Sequence, residues 1–275
     1  MGTIALIVLP AVMSAGLSLT SYDAVSPPRY VGLRNFDAVF ADPLFHTSLW
    51  NSLFFIALAV PLRVGGALAL ALLLERPRRG NGFYRASVYV PTVVPDVAYA
   101  LIWLWILNPL YGPLNIVLSA VGFSPPAWLV EPDTAKLGFV LMSLFQIGEG
   151  FVILLAGLQD VPREYHEAAE VDGASTYQRF RHITLPLLVP WLLLLTFRDI
   201  VLSFQYTFAP SYLMTGGDPY YSTLFLPLLI YEEAFDRFNF GTGSAMMLLM
   251  FLATVALVAA LYYLMRHRLR AAEEI

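Results

Sequence analysis

Cysteine is absent from this sequence, and lysine occurs once, as Lys136 in the context TAKLG. The first absence excludes disulfides and any thiolate-based metal or redox site. The second excludes a phosphate-binding loop ending in Gly-Lys-Ser or Gly-Lys-Thr. A pump built on this chain must therefore take its ATP hydrolysis from another subunit. The four histidines (His46, His166, His182 and His267) are scattered and form no metal-ligand spacing. Charge is scarce too: 13% of the 275 residues are charged, about half of the roughly 25% of a soluble domain. With 58% hydrophobic residues and a mean hydropathy of +0.67, the composition is that of an integral membrane protein. Its solvent is a lipid bilayer, and nothing in it suggests nucleic-acid binding.

A bilayer core of about 30 Å requires about 20 apolar residues of helix. Six stretches qualify, at about 3–19, 49–74, 86–108, 135–158, 187–208 and 243–265, so the expected fold is a single all-α polytopic domain spanning residues 1–275. The first stretch is the weakest. Its apolar part, 4–19, would reach only about 24 Å at ~1.5 Å per residue, and no basic flank precedes it, so it reads as a short or truncated first helix rather than a cleaved signal peptide. Arginine and lysine separate two kinds of connection. Arg76, Arg78, Arg79 and Arg85 lie in 75–85; Arg163, Arg179 and Arg181 in 159–186; and Arg266, Arg268 and Arg270 in the tail. The loops of the other set hold only Arg29, Arg34, Arg237 and the adjoining Lys136. The positive-inside rule makes the first set cytoplasmic, with both termini inside. The other loops (SPPRYVGLRNF, NPLYGPLN, LMTGGDPYY) have the Pro, Gly and Tyr of turns.

One cytoplasmic loop is unusual. Seven charged residues fall between positions 163 and 181 in EYHEAAEVDGASTYQRFRHITLPLLVP and the arginine preceding it. Pro162 suits the first position of a helix, where its missing N–H costs nothing. Glu164 and Glu167 in the first two turns favour the positive end of the helix dipole. Ala168, Ala169 and Val171 offer a smooth surface for close approach. Gly173 permits a left-handed turn, and Ser175 is suited to cap a second short helix over about 175–182, with Tyr177 and Phe180 on one face. Pro186 and Pro190 then set the entry into the next span. An amphipathic connector resting on lipid headgroups fits the same pattern, but such a helix is normally rich in Lys and Arg. Three glutamates and two alanines suit a protein partner better.

The spacing Glu167-Ala168-Ala169, three residues, Gly173, nine residues, Ile183-x-Leu185-Pro186 resembles the EAA loop of permease subunits of binding-protein-dependent ABC importers. The form AAEVDGASTYQRFRHITLP is similar to the carbohydrate-uptake class. RYVGLRNF, PTVVPDVAYALIWLWILNPLYGPLN, LLAGLQDVP, SYLMTGGDP and TLFLPLLIYEEAFDRFNFGTGSA extend the resemblance over residues 18–265, with Asp218 where the family usually has a third glycine. The outer-loop TGG and short polar tail resemble the first permease subunit of maltose- and glycerol-phosphate-type systems. The resemblance implies the type I permease fold, no catalytic residue and no cofactor in this chain, and ATP and Mg held by a partner ATPase dimer. It also implies a heterodimer with a second permease subunit, an extracytoplasmic solute-binding protein, a sugar substrate, and residence in a bacterial or archaeal plasma membrane. In the family the EAA helix docks on the ATPase. Here Glu167 would meet an ATPase arginine, Ala168 and Ala169 would allow close packing, Gly173 the bend, and Ile183, Leu185 and Pro186 the link to the fifth span.

Ionisable residues inside spans cost about 2.5–3.5 kcal/mol each on insertion scales and default to functional candidates. Arg63, Asp96, Glu149, Arg198 and Asp199 are of this kind. They either pair between helices or line a translocation path, to which Phe145, Gln146, Phe204, Gln205 and Tyr206 could add hydrogen bonds and aromatic faces. The same charges also suit an ion-coupled carrier or channel working without an ATPase. A membrane scaffold without transport would leave the EAA spacing unexplained.

Overall fold

The computed structural model describes residues 2–75 and 78–273. Helices dominate it: α1 (Ile4–Leu17), α2 (Arg34–Ala41), α3 (Pro43–Leu74), α4 (Asn81–Val93), α5 (Asp96–Ile106), α6 (Pro113–Ala120), α7 (Pro132–Gln146), α8 (Gly148–Gln159), α9 (Arg163–Val171), α10 (Thr176–Thr215), α11 (Leu226–Tyr231) and α12 (Phe240–Glu273). A hairpin of two-residue strands, β1 (Thr20–Ser21) and β2 (Arg29–Tyr30), pairs antiparallel with Thr20 opposite Tyr30. Arg76 lies outside the described residues, as do the side chains of Arg266, Arg268 and Arg270.

Three helices are each long and apolar enough to cross a membrane: α3 with 32 residues, α10 with 40, and Phe240–Met265 with 26. Two of the expected spans are broken instead. The expected 86–108 span stops at Val94, which is extended at φ −69° and ψ 127°. Pro95 follows, and the residue before a proline avoids helical geometry because the pyrrolidine ring crowds it. The expected 135–158 span bends by 46° between α7 and α8. A single 3₁₀ turn over Leu144–Gln146 runs into Ile147 at φ −90° and ψ 0°, so the α-ladder is interrupted there. Counting each broken pair as one span gives five candidates, and α1 is shorter than the rest.

Compact packing divides the chain into two units. The first comprises Met1–Phe55, Asp96–Phe139 and Ser203–Ala256. Its core gathers Val39, Phe45, Leu224, Leu226, Leu229 and Met246. The loop after α10 is pinned to this core through backbone groups. The Asn51 amide donates to the carbonyls of Tyr221 (2.8 Å) and Leu224 (3.0 Å), and Ser52 Oγ accepts from the Leu226 N–H at 2.9 Å. Lys136, the lone lysine, donates to Asn51 Oδ1 at 3.0 Å and lies 5.4 Å from the centre of the Phe54 ring. Its charge is thus spent holding the residue that holds the loop. Buried Glu233 accepts from Arg237 (2.7 Å) and Asn239 (2.9 Å), and the bond to Glu233 raises the Arg237 pKa above its ordinary value.

The second unit comprises Ile56–Pro95, Val140–Leu202 and Leu257–Ile275. Its core joins Ala67, Ala71 and Leu74 of α3 to Phe151, Leu154 and Leu158 of α8 and to Leu188 and Leu195 of α10. Glycine permits the close helix approaches. A Cβ on Gly148 would fall 2.7 Å from the Val88 carbonyl oxygen, and one on Gly157 would fall 2.7 Å from Cγ of Trp191. Small residues at helix crossings are the main route to tight packing where lipid supplies no hydrophobic drive. Gly157→Val should therefore destabilise the protein by about 1–3 kcal/mol through overpacking. Gly65→Ala, whose Cβ meets nothing within 4 Å, should be neutral or slightly stabilising. Thermal unfolding of both variants in detergent checks the contrast, and equal Tm values would refute the packing role of Gly157.

Candidate functional site

Two constellations carry the chemistry, both in the second unit. The first is the hairpin of α9 and the start of α10. Pro162 stands one place earlier than expected, as the N-cap at φ −61° and ψ 130°, with Arg163 opening the helix. The C-terminus of α9 closes in a Schellman arrangement: the Ala174 N–H donates to the Ala169 carbonyl at 2.9 Å and the Gly173 N–H to that of Glu170 at 3.0 Å. Gly173 sits at φ +78° with open space around it, so backbone conformation alone, rather than crowding, demands glycine there.

Ser175 caps the next helix as expected, and it does so reciprocally. The Gln178 N–H donates to Ser175 Oγ at 3.3 Å while the Ser175 N–H donates to Gln178 Oε1 at 2.7 Å. The S-x-x-Q spacing of this capping box was legible in the sequence. The helix that follows is not a separate short element over 175–182. It continues without a break into the expected fifth span as α10. Over Phe180–Thr184 the ladder widens to a π turn, in which the N–H of Leu185 reaches the carbonyl of Phe180. The wider turn comes directly before Pro186, which has no N–H to offer and would crowd an α-helical carbonyl. Ile183, Leu185 and Pro186 thus lie inside one continuous helix.

No residue of α9 is buried. Glu167 and Ala168 are exposed, Ala169 is half-buried, and Val171 and Tyr177 stand out at 89% and 66% exposure. A cleft of about 650 Å³ opens between the hairpin and the ends of α3 and α8, lined by Leu72 of α3, Glu75 and Arg78 after it, Leu158 of α8, Arg163, Glu167 and Glu170 of α9, and Arg179 of α10. An ion pair between Glu170 and Arg179 joins the two arms.

The second constellation is a chain of charges inside the apolar helices. Arg63 of α3 is buried, with Nε 3.1 Å from Asp199 Oδ2 and Nη2 donating to the Asp199 carbonyl at 3.3 Å. Asp199 Oδ1 also lies 3.6 Å from Arg198, whose guanidinium pairs with Glu149 of α8. Exposure of the side chains rises along the chain, from 3% at Arg63 and 10% at Asp199 to 30% at Arg198 and 41% at Glu149. Four of the five ionisable residues expected inside spans therefore pair, two positive against two negative. Asp96 does not join them. It belongs to the first unit, exposed in the first turn of α5, where a carboxylate complements the helix dipole.

The remaining polar and aromatic candidates separate as well. Phe145 and Gln146 belong to the second unit, beside the bend at Ile147. Buried Phe204, exposed Gln205 and half-buried Tyr206 belong to the first. Along α7 and α8, exposed or half-exposed positions recur at Phe145, Glu149, Val152 and Ala156, and along α10 at Pro190, Leu194, Arg198 and Val201. Each stripe has helical spacing, and the Glu149–Arg198 pair bridges the two.

Removing one partner of a buried pair strands the other charge and costs about 3–5 kcal/mol. Arg63→Leu and Asp199→Leu should each be destabilising on that scale, whereas the double variant should lose far less than the sum. A double-mutant cycle on thermal unfolding in detergent measures this, and additive losses would show that the two side chains do not depend on each other.

The profile of the family described as "Binding-protein-dependent transport system inner membrane component" matches residues 48–271. A sulfoquinovosyl glycerol transport system permease protein of Agrobacterium fabrum is 34% identical over 259 residues, covering 92% of this chain and 83% of that protein. A trehalose/maltose transport system permease protein of Thermococcus litoralis is 34% identical over 255 residues, covering 91% and 85%. Among solved structures, a chain of a bacterial alginate ABC transporter, crystallised in complex with an alginate-pentasaccharide-bound periplasmic protein, superposes with a TM-score of 0.81 at 19% identity, covering 97% of this chain and 91% of that one. The chain belongs to the inner membrane components of binding-protein-dependent transport systems, the permease subunits of ABC importers, and has their type I fold.

Proposed function

We infer that this permease moves a sugar or sugar-like solute inward across a bacterial or archaeal plasma membrane, driven through the α9 hairpin by a separate ATPase. The carrying observation is mechanical. A short helix with no buried residue leaves Glu167, Ala168 and Val171 exposed, and the hairpin's second arm is the opening of a 40-residue helix. A body docked on α9 would therefore act directly on a long rigid rod, as switching by rigid-body helix motion requires. The solute class follows the relatives, whose names specify a sulfoquinovosyl glycerol and trehalose/maltose. ATP and Mg belong to the partner ATPase dimer, a second permease subunit completes the membrane part, and an extracytoplasmic binding protein delivers the solute. Both termini and the α9 hairpin face the cytoplasm in this reading, following the arginine-rich loops.

The Glu149–Arg198 pair supports a translocation path on the face that bears it. A half-exposed ion pair turned to lipid would be costly, so water or protein covers that face. The pairing of Arg63, Asp199, Arg198 and Glu149 also accounts for these charges without ion coupling.

Glu167→Lys or Gly173→Asp should abolish uptake in the complete complex while the protein still inserts and its permease partner still copurifies. Normal transport by either variant would defeat the docking role. On the solute side, Gln146→Ala and Gln205→Ala should alter the selectivity of uptake across a panel of disaccharides and glycosyl glycerols. An unchanged profile in both would remove these residues from the path.

A further inference from the structure

Deep burial does not fix the angle between α9 and α10. No residue of α9 is fully buried, and a Cβ at Gly173 would touch nothing. Clefts lie on two sides of the crook. The one of about 650 Å³ lies between the hairpin and the ends of α3 and α8, along Glu167, Glu170, Thr176 and Phe180. A second, of about 300 Å³, lies along Ala169, Gly173, Gln178 and His182. Arg179 borders both clefts. Its side chain is 18% exposed although it sits on a surface hairpin. Its guanidinium crosses the crook to the Glu170 carboxylate, and Nη2 also reaches Thr176 Oγ1 at 3.4 Å on its own helix. The Schellman turn closes the backbone between the arms, but a turn around an open glycine leaves the angle soft. Glu170–Arg179 is the one side-chain ion pair between the arms among the described residues.

We propose that Glu170 and Arg179 are positioning residues: a strut across the crook that holds α9 at a fixed angle to α10, so that a push on α9 moves the long helix and is not absorbed at Gly173. The strut rests on the reading of the hairpin as the docking element. Neither residue belongs to the spacing that marked the loop in the sequence. A surface ion pair of this kind contributes little to global stability, so unfolding is not its readout. Its effect is geometric: without it the arms sample a range of angles, and a docked partner must select one.

Because the chain lacks cysteine, two thiols can be placed without background. With nitroxides on Tyr165→Cys and Arg181→Cys, both exposed, the distance distribution across the hairpin is measured on the full-length permease in nanodiscs before the ATPase is added. Four forms are compared: the parent, Glu170→Gln, Arg179→Gln, and the reversed pair Glu170→Arg with Arg179→Glu. The expected result is a broadened distribution in both single variants and a narrow one in the reversed pair. ATPase retained on the tagged permease after washing should fall about two- to fivefold in the single variants, the range that loss of such a pair allows, and recover in the reversed pair. Four distributions of the same width, or a reversed pair as broad as the single variants, would overturn the strut. Glu167→Lys separates the two ideas. Retained ATPase in that variant would defeat the docking reading, while the distance distributions would still decide whether the strut exists.

Discussion

Charge inside an apolar helix has to be neutralised within the protein, and the second unit is organised around that constraint. Arg63 on α3 and Asp199 on α10 are each too costly to leave alone in a bilayer, and each is the other's answer. Meeting that requirement brings α3 and α10 to within salt-bridge distance. Arg198 extends the chain to Glu149 on α8, so three helices share one electrostatic network. The glycines of α8 belong to the same arrangement. Gly148 and Gly157 let neighbouring backbone and side chains come closer than a Cβ would permit, and close approach is what short ion pairs between helices need.

The interrupted helices follow from a related constraint. A chain in a bilayer must satisfy its backbone polar groups internally, so breaks are tolerated only where local chemistry absorbs them. The break at Val94–Pro95 falls where proline has no N–H to give to the helical ladder. The π turn at Phe180–Thr184 precedes Pro186, and the helix runs on through that proline. As a result the hairpin arm and the fifth span are one rod, a property that gives the α9 hairpin mechanical reach if a partner acts on it.

Local sequence patterns and distant partners divide this protein cleanly. The Gly173 turn and the Ser175 cap were legible in the sequence because each is decided within a few residues, by φ at one glycine or by one side chain reaching the next turn, and the EAA-type spacing because it runs along one continuous stretch, 167–186. The membrane class was legible because composition alone excludes a soluble core. The continuity of α10 was less so. Pro186 and Pro190 read locally as an entry corner, but the helix runs on through both, with its hydrogen-bond ladder widened over Phe180–Thr184 just ahead of the first. The stretch 86–108 shows the converse: hydropathy runs on through Pro95, but the helix breaks there.

Which charges pair is a tertiary matter. Five ionisable residues inside expected spans were visible from the start, separated by up to 136 positions (63 to 199), and no local pattern says which will meet. Folding places Arg63 against Asp199 and Arg198 against Glu149, and leaves Asp96 at the start of α5 in the other unit. The strut between Glu170 and Arg179 has the same character on a smaller scale, since its ends lie nine positions apart with a left-handed glycine between them. By itself the sequence determined the solvent, the family and the local turns, all properties of composition and short range. The tertiary structure decided the partners, because the electrostatic cost of a buried charge is set by what lies within a few ångströms in space, whatever the distance along the chain.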